Sequence, residues 1–320
     1  MSAQEIMPES PGRIAPAREL VNAFEFEAMA QRSLGDSAFR QIAGSERCAF
    51  ERITFRPRMM VNTTKLDLTV ELFGQKMFAP ILVGPVSEQK RFHPEGELAA
   101  VRGAAAAKTA VVVSARSSFS LPEIAARTEK APLWYQAQAG EETDEQLRRI
   151  DQAVQAGAKT LCITAAGADW SAIGRLRKRV GIPCVVKGIL SADDARAAVS
   201  EGLNGIVISN YEMPAASHPP APIEVLPSIA DAVAGKTVVL IDGSFRRGSD
   251  ILKALALGAR AVLLARPVMW ALAAYGAAGV QTLLEMLQTE LARDMAMCGK
   301  PNLQSLDPSV VRIHARGPGC

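Results

Sequence analysis

The sequence predicts an α/β fold of the (β/α)8 TIM-barrel class, with an N-terminal extension of helices and strands. Three observations carry this expectation. Eight short apolar, β-branched-rich runs occur in series, and amphipathic stretches separate them. A glycine that can end a helix, followed by a short spacer, recurs before strands in GAKTLCIT, GLNGIVIS and GARAVLLA. The residues that follow the runs are mostly small and polar, as at the carboxyl ends of barrel strands. An open, doubly wound sheet would show the same alternation and is the alternative.

Residues 1–20 are proline-rich and read as a loose arm. Residues 21–310 read as one barrel domain, and 311–320 as a tail. Residues 21–50 read as helical. Thr54 to Pro57 and Leu66 to Phe73 read as strands, with Gly74-Gln75 as a turn, and are expected to plug one end of the barrel. The eight barrel strands are then Pro80 to Gly84, Ala110 to Ser114, Leu133 to Gln138, Leu161 to Thr164, Cys184 to Lys187, Gly205 to Ser209, Val238 to Ile241 and Ala261 to Leu264. The helix after the third opens on a capping box, Thr143 with Gln146, and carries Leu147, Ile150 and Val154 on one face. Helices from about Met269 to Met297 close the barrel, and the chain after Cys298 reads as irregular.

Composition excludes several classes. Apolar residues at 48% and charged residues at 22% describe an ordinary globular protein. A net charge of +3 gives no argument for nucleic acid or an anionic membrane, and the basic run Arg175 to Arg179 reads as a solvated helix face. No stretch reads as a membrane span or a signal peptide. The five cysteines are scattered without a CxxC. They imply a reducing, cytoplasmic setting and no disulfide framework.

The stretch from Val238 to Pro267 is the most informative. Val238 to Ile241 is a buried strand, and Asp242-Gly243-Ser244 breaks it. Ser249 can cap the next helix, Gly258 can end it, and Ala261 to Leu264 is the next strand. The Gly/Ser turn with Arg246 and Arg247 therefore lies at the same end as Arg266, which begins a helix. Exposed backbone N–H groups and arginines together make an anion site, most naturally for phosphate. The other strand ends are Pro85-Val86-Ser87, Ser114, Gln136 with Gln138, Thr164, Lys187 and Ser209-Asn210-Tyr211. Taken alone, Lys187 reads equally as a strand-end lysine turned to water, and Arg246 and Arg266 as surface charges at helix starts.

DGSFRRGSDILKALALGARAVLLARP resembles the phosphate-binding segment of the FMN-dependent α-hydroxy acid oxidases and dehydrogenases, with Ser244, Phe245 and Ala265 where that family usually has Gly, a β-branched residue and Gly. The resemblance runs from about residue 40 to 310, through FRPRMMVN, PILVGPVSEQKRFHPEGELA, VVVSARSS, WYQAQ, LCIT, VVKGILSADDA and GIVISN. It implies FMN as cofactor. It places flavin contacts at Pro85, Val86, Ser87, Ser114, Gln136, Thr164, Lys187 and Ser209, and phosphate contacts at Asp242, Gly243, Ser244, Phe245, Arg246, Ala265 and Arg266. It implies a small-molecule substrate and a homo-oligomer, commonly a tetramer. His93 also matches, as a capping or packing residue at a helix start.

The donor side departs from the pattern. The family reads SNHGG followed by Arg, where His is the base and Arg holds the substrate carboxylate. This chain reads SNYEMPAAS, with Tyr211 at the His position and Pro214 at the Arg position. The aspartate that orients the His is replaced near Ala166, and the tyrosine after the third-strand Gln by Gln138. The N-terminal substrate tyrosine falls near Phe39. The lid after the fourth strand, which holds a second carboxylate-binding Arg, shrinks to AAGAD before Trp170. A phenol, with an ordinary pKa of about 10, is a poor base near neutral pH. The expectation is an FMN-binding oxidoreductase with weak or absent L-2-hydroxy acid oxidation and a changed substrate. Tyr211 and Lys187 are its candidate catalytic residues, and His218 is a weaker substitute for the base. The alternatives are a catalytically silent flavoprotein with a structural, sensing or partner-binding role, and a barrel for another phosphorylated ligand.

Overall fold

The computed structural model describes residues 14–45, 47–58, 60–129, 131–140, 144–165, 167, 169–211, 213 and 219–315. The N-terminal extension folds as α1 (Ala23–Ser33), α2 (Asp36–Ile42) and α3 (Cys48–Glu51), then β1 (Ile53–Phe55), β2 (Val70–Leu72) and β3 (Gln75–Met77). The side chain of Asn22 caps α1 by accepting from the amides of Phe24 and Glu25. Phe73 and Gly74 both take positive φ, so β2 and β3 form a tight hairpin. Gln75 therefore begins a strand, and β2 is shorter than the run from Leu66. The hairpin plugs the amino end of the barrel. Gln75 accepts from the Trp134 indole at 2.8 Å and donates to Thr160 at 3.0 Å, with Phe73 against the Trp134 ring.

The eight apolar runs become parallel strands β4 (Ile81–Val83), β5 (Ala110–Ser114), β6 (Leu133–Gln138), β7 (Thr160–Thr164), β8 (Cys184–Ile189), β9 (Gly205–Ile208), β10 (Val238–Ile241) and β11 (Ala261–Leu264). β11 pairs with β4, so the sheet closes into a barrel and is not an open doubly wound sheet. Nearly every strand residue is buried, because side chains pointing inward fill the barrel and those pointing outward meet helices. Around it run α4 (Gly96–Ala106), α5 (Leu121–Ala125), α6 (Asp144–Gln155), α7 (Trp170–Arg179), α8 (Ala192–Ser200), α9 (Pro222–Val233), α10 (Gly248–Ala256) and α11 (Arg266–Met297). α11 kinks at Gly276, whose φ is +59°.

Several expectations are corrected. Asp250, not Ser249, caps α10: its Oδ2 accepts from the amides of Arg246 at 2.9 Å and Arg247 at 3.0 Å. On α6, Ile150 and Ala153 are buried, while Val154 is 36% exposed. Gln146 donates to the carbonyl of Gln138 at 2.6 Å, and Thr143 lies outside the described residues. The segment after Cys298 is not irregular throughout, because β12 (Val311–Ile313) pairs antiparallel with β1. Within residues 14–20, Leu20 is buried and the Ala15 carbonyl accepts from the Tyr275 hydroxyl, so this stretch packs on α11. Cys48 is disulfide-bonded, against the expectation of a chain without disulfides. Cys162, Cys184 and Cys298 are free and buried, and burial pushes the first two thiols up to about 12 and about 11. α11 is long and apolar enough to cross a membrane, but 61% of its most apolar window is buried inside the fold, as in a core helix.

Candidate active site at the carboxyl mouth of the barrel

Polar side chains at the strand ends form two connected arcs. In the first, Ser87, just after β4, lies 3.0 Å from the hydroxyl of Ser114 at the end of β5. Ser114 donates to Gln136 Oε1 at 3.2 Å, and Gln136 Nε2 donates to Thr164 at 2.9 Å. Ser114, Gln136 and Thr164 are all buried, so this network fixes their orientation. Pro85 and Val86 continue the β4 end and are half-buried.

The second arc crosses β8, β9 and β10. Lys187 Nζ donates to Ser209 at 2.8 Å and lies 3.0 Å from Asp242 Oδ2. Ser209 donates to the same carboxylate oxygen at 3.0 Å. The β8–β9 register shifts between Lys187 and Ile189, where Gly188 holds φ +114°. A bulge of this kind re-aims a side chain, and here the Lys187 side chain is buried among polar partners rather than turned to water. Tyr211 lies just beyond: its ring is 5.1 Å from Lys187 Nζ, and it is 79% exposed.

Asp242 joins this arc to the anion end. Gly243 and Ser244 take φ of +100° and +60°, which turns the chain sharply into α10. Phe245 and Arg246 are then buried. Arg246 Nη1 donates to the Phe245 carbonyl at 2.8 Å, and its guanidinium lies 4.4 Å over the Trp270 ring. Its Nη2 is buried with no hydrogen-bond partner. Burial, and next the positive charge of Arg266, pull the Arg246 guanidinium down to about 9. Arg266 is also lowered by burial, opposed by the carboxylates of Asp242 and Glu27. Ala265 immediately precedes α11, and the Arg266 side chain reaches the Ala43 carbonyl. A buried guanidinium with an orphaned nitrogen, beside a half-buried one, makes a site suited to a further anion.

The sequence matches the family described as FMN-dependent dehydrogenase over residues 34–166 and 164–313. The chain belongs to that family. It is 34% identical to an L-lactate oxidase from Nostoc sp. over 358 aligned positions, covering 92% of this chain and 98% of the relative. It is 33% identical to the Homo sapiens 2-hydroxyacid oxidase 1, covering 82% and 86%. Among solved structures, a mandelate oxidase with (S)-2-phenylpropionate superposes with a TM-score of 0.87 at 34% identity, covering 92% of this chain and 99% of that one.

FMN is the cofactor of this family, and the anion end fits its phosphate, which would supply a partner for Arg246 Nη2. The family match breaks at residues 164–166, directly after β7. Only five residues, 165–169, link β7 to α7. The alignment to the lactate oxidase is longer than the 320-residue chain, so this chain lacks segments that the oxidase has. Pro214 and His218 lie outside the described residues.

Four contributors to this mouth were not read from the sequence. Ser45 contacts the Ser244 hydroxyl at 2.8 Å, and Arg47 donates to the Ser244 carbonyl at 3.1 Å and pairs with Asp250. Trp270 supports Arg246, and Arg116 reaches Gln138. Ser45 and Arg47 stand about 200 positions from the loop they brace, and no local pattern marks them. His93 accepts from the Glu95 amide at 3.2 Å and faces Gly276, as a capping and packing residue does.

Proposed function

We propose that this protein is an FMN-dependent oxidoreductase in which L-2-hydroxy acid oxidation is weak or absent and the substrate differs from that of its relatives. The observation that carries this reading is the donor side of the mouth. An exposed Tyr211 phenol follows β9, where the resemblance expects an imidazole base. Gln138 ends β6 where it expects a tyrosine, and the β7–α7 link is too short to hold a lid.

Arg246 and Arg266 hold the phosphate, and the turn Asp242 to Phe245 with Ala265 shapes its seat. Pro85, Val86, Ser87, Ser114, Gln136, Thr164 and Ser209 line the ring, with amide and hydroxyl groups for its polar edge. FMN, when bound, supplies a two-electron acceptor. Lys187 sets a positive charge beside that edge, and Asp242 and Ser209 fix where the charge sits. Tyr211 offers a phenol hydroxyl to a donor molecule where the resemblance expects an imidazole base. A small 2-hydroxy acid would meet neither a base nor a guanidinium at these positions. The open mouth suits a larger donor.

The test is the visible spectrum of the purified protein, followed by an anaerobic challenge with 2-hydroxy acids. A yellow protein that none of them bleaches is the expected result. Fast bleaching by glycolate or lactate would overturn the loss of the family chemistry, and a colourless protein that refuses FMN would overturn the flavin assignment.

A further inference from the structure

The chain between α2 and α3 lies along the phosphate seat as a strap. The Trp270 indole donates to the Ile42 carbonyl at 2.7 Å, and Arg266 Nη1 donates to the Ala43 carbonyl at 3.4 Å. The Gly44 amide donates to the Glu27 carboxylate. The Ser45 hydroxyl meets that of Ser244 at 2.8 Å, and Arg47 donates to the Ser244 carbonyl at 3.1 Å. Ala43 and Gly44 share one peptide group, so its oxygen takes Arg266 while its N–H takes Glu27. The C=O and N–H of a trans peptide point in opposite directions. Glu27, from α1, therefore lies on the far side of the strap from Arg266. Gly44 permits this approach, because a Cβ there would stand 2.6 and 2.9 Å from the two carboxylate oxygens.

The other charges around the seat are committed to one another. Arg47 pairs with Asp250, which also caps α10. Arg247 lies 2.9 Å from Glu290, and Lys187 lies 3.0 Å from Asp242. Glu27 is half-buried. Burial lowers both Arg246 and Arg266. Against it, Glu27 is the strongest opposing charge on Arg246 and the next after Asp242 on Arg266. Arg246 Nη2 still has no hydrogen-bond partner. Glu27 thus offsets the positive charge without filling that bonding position. A phosphate arriving there gains a free donor and meets a negative charge behind the strap.

We propose that Glu27 is a built-in counter-anion of the phosphate seat, and that it sets how much the phosphate group contributes to FMN affinity. This rests on the reading that the FMN phosphate sits at Arg246 and Arg266. In the FMN-free chain the Glu27 charge offsets the two guanidinium groups and supports the folded seat. With phosphate bound, the same charge repels it and holds the affinity below what the arginines alone would give. Glu27 acts through the strap and the two arginines, so it is a positioning residue rather than a catalytic one.

The experiment compares FMN with riboflavin, which lacks the phosphate, on the full chain freed of flavin. E27Q keeps an oxygen for the Gly44 amide and removes only the charge. Fluorescence titration should give an FMN dissociation constant at least about fivefold tighter in E27Q than in the wild type, with riboflavin affinity within about twofold. The melting temperature of flavin-free E27Q should fall, and its rise on saturation with FMN should exceed that of the wild type. A side chain with only a structural role would weaken both flavins together. FMN affinity that is unchanged or weaker in E27Q overturns the proposal, as does riboflavin tightened as much as FMN or a flavin-free E27Q that melts higher. R246M separates this from the reading beneath it. Unchanged FMN affinity in R246M overturns the phosphate seat itself, whereas FMN weakened by R246M and untouched by E27Q overturns only the role of Glu27.

Discussion

The two halves of the barrel mouth differ in kind. On the β10–β11 side, Phe245 and Arg246 are buried, Arg266 is half-buried, the turn is braced by Ser45 and Arg47, and Arg246 Nη2 lacks a partner. On the β6, β7 and β9 side, the groups that would handle a hydroxy acid are exposed or replaced. Binding a phosphate is a task of fixed charge and backbone shape, which a new substrate leaves unaltered. Holding and deprotonating a donor depends on a few side chains and one loop, and these change with the donor. On the proposed reading, cofactor binding and donor chemistry are separable on this fold.

The largest expected effect breaks the phosphate half. Arg246→Met should weaken FMN binding by about 100-fold or more, read by flavin fluorescence titration, because a charge-assisted bond to phosphate is lost in a buried site. The same change should leave the FMN-free protein as stable or more stable, since it removes an unpaired buried charge. A large loss of melting temperature without FMN would show that Arg246 is structural instead.

Lys187→Met tests the boundary between the halves. Removing the positive charge beside the ring should lower the midpoint potential by on the order of 30 mV, equivalent to about 1.4 kcal/mol for two electrons. Redox titration decides this, and an unchanged potential removes Lys187 from the ring edge. On the donor half, Tyr211→His combined with Pro214→Arg should raise glycolate or lactate oxidation only slightly, because the lid remains absent. Rates near those of ordinary oxidases would show that the lid does not matter.

The pH dependence of cofactor affinity is a smaller effect. Burial lowers the Arg246 guanidinium from its ordinary value, so the FMN-free protein holds a buried charge at a cost to its stability. Rising pH lifts that cost only where the folded form sheds the proton and the unfolded chain still holds it, at the alkaline end. Phosphate binding needs the charge, so FMN affinity, read by fluorescence titration against pH, should weaken only at that end, and an affinity that rises there would assign the phosphate to another group. The smallest expected signal is thiol reactivity: Cys162 and Cys184 should resist labelling at pH 8 in the native protein, because burial keeps both as thiols.

The sequence by itself determined the eight strands, their order and the phosphate segment. Each strand is a contiguous apolar run, and the turn, Arg246 and the start of α11 lie within 30 residues. By resemblance it also sets Tyr211 where the family has an imidazole. Tertiary structure alone decided the closure of β11 on β4, the bracing of Ser244 by Ser45 and Arg47, and the Trp270 ring beneath Arg246. It alone brought Glu27 against the Gly44 amide and showed the disulfide at Cys48. The physical reason is range. Periodicity and capping act over one helical turn or one strand. Contacts between distant loops exist only once the barrel has closed and set its strand ends side by side.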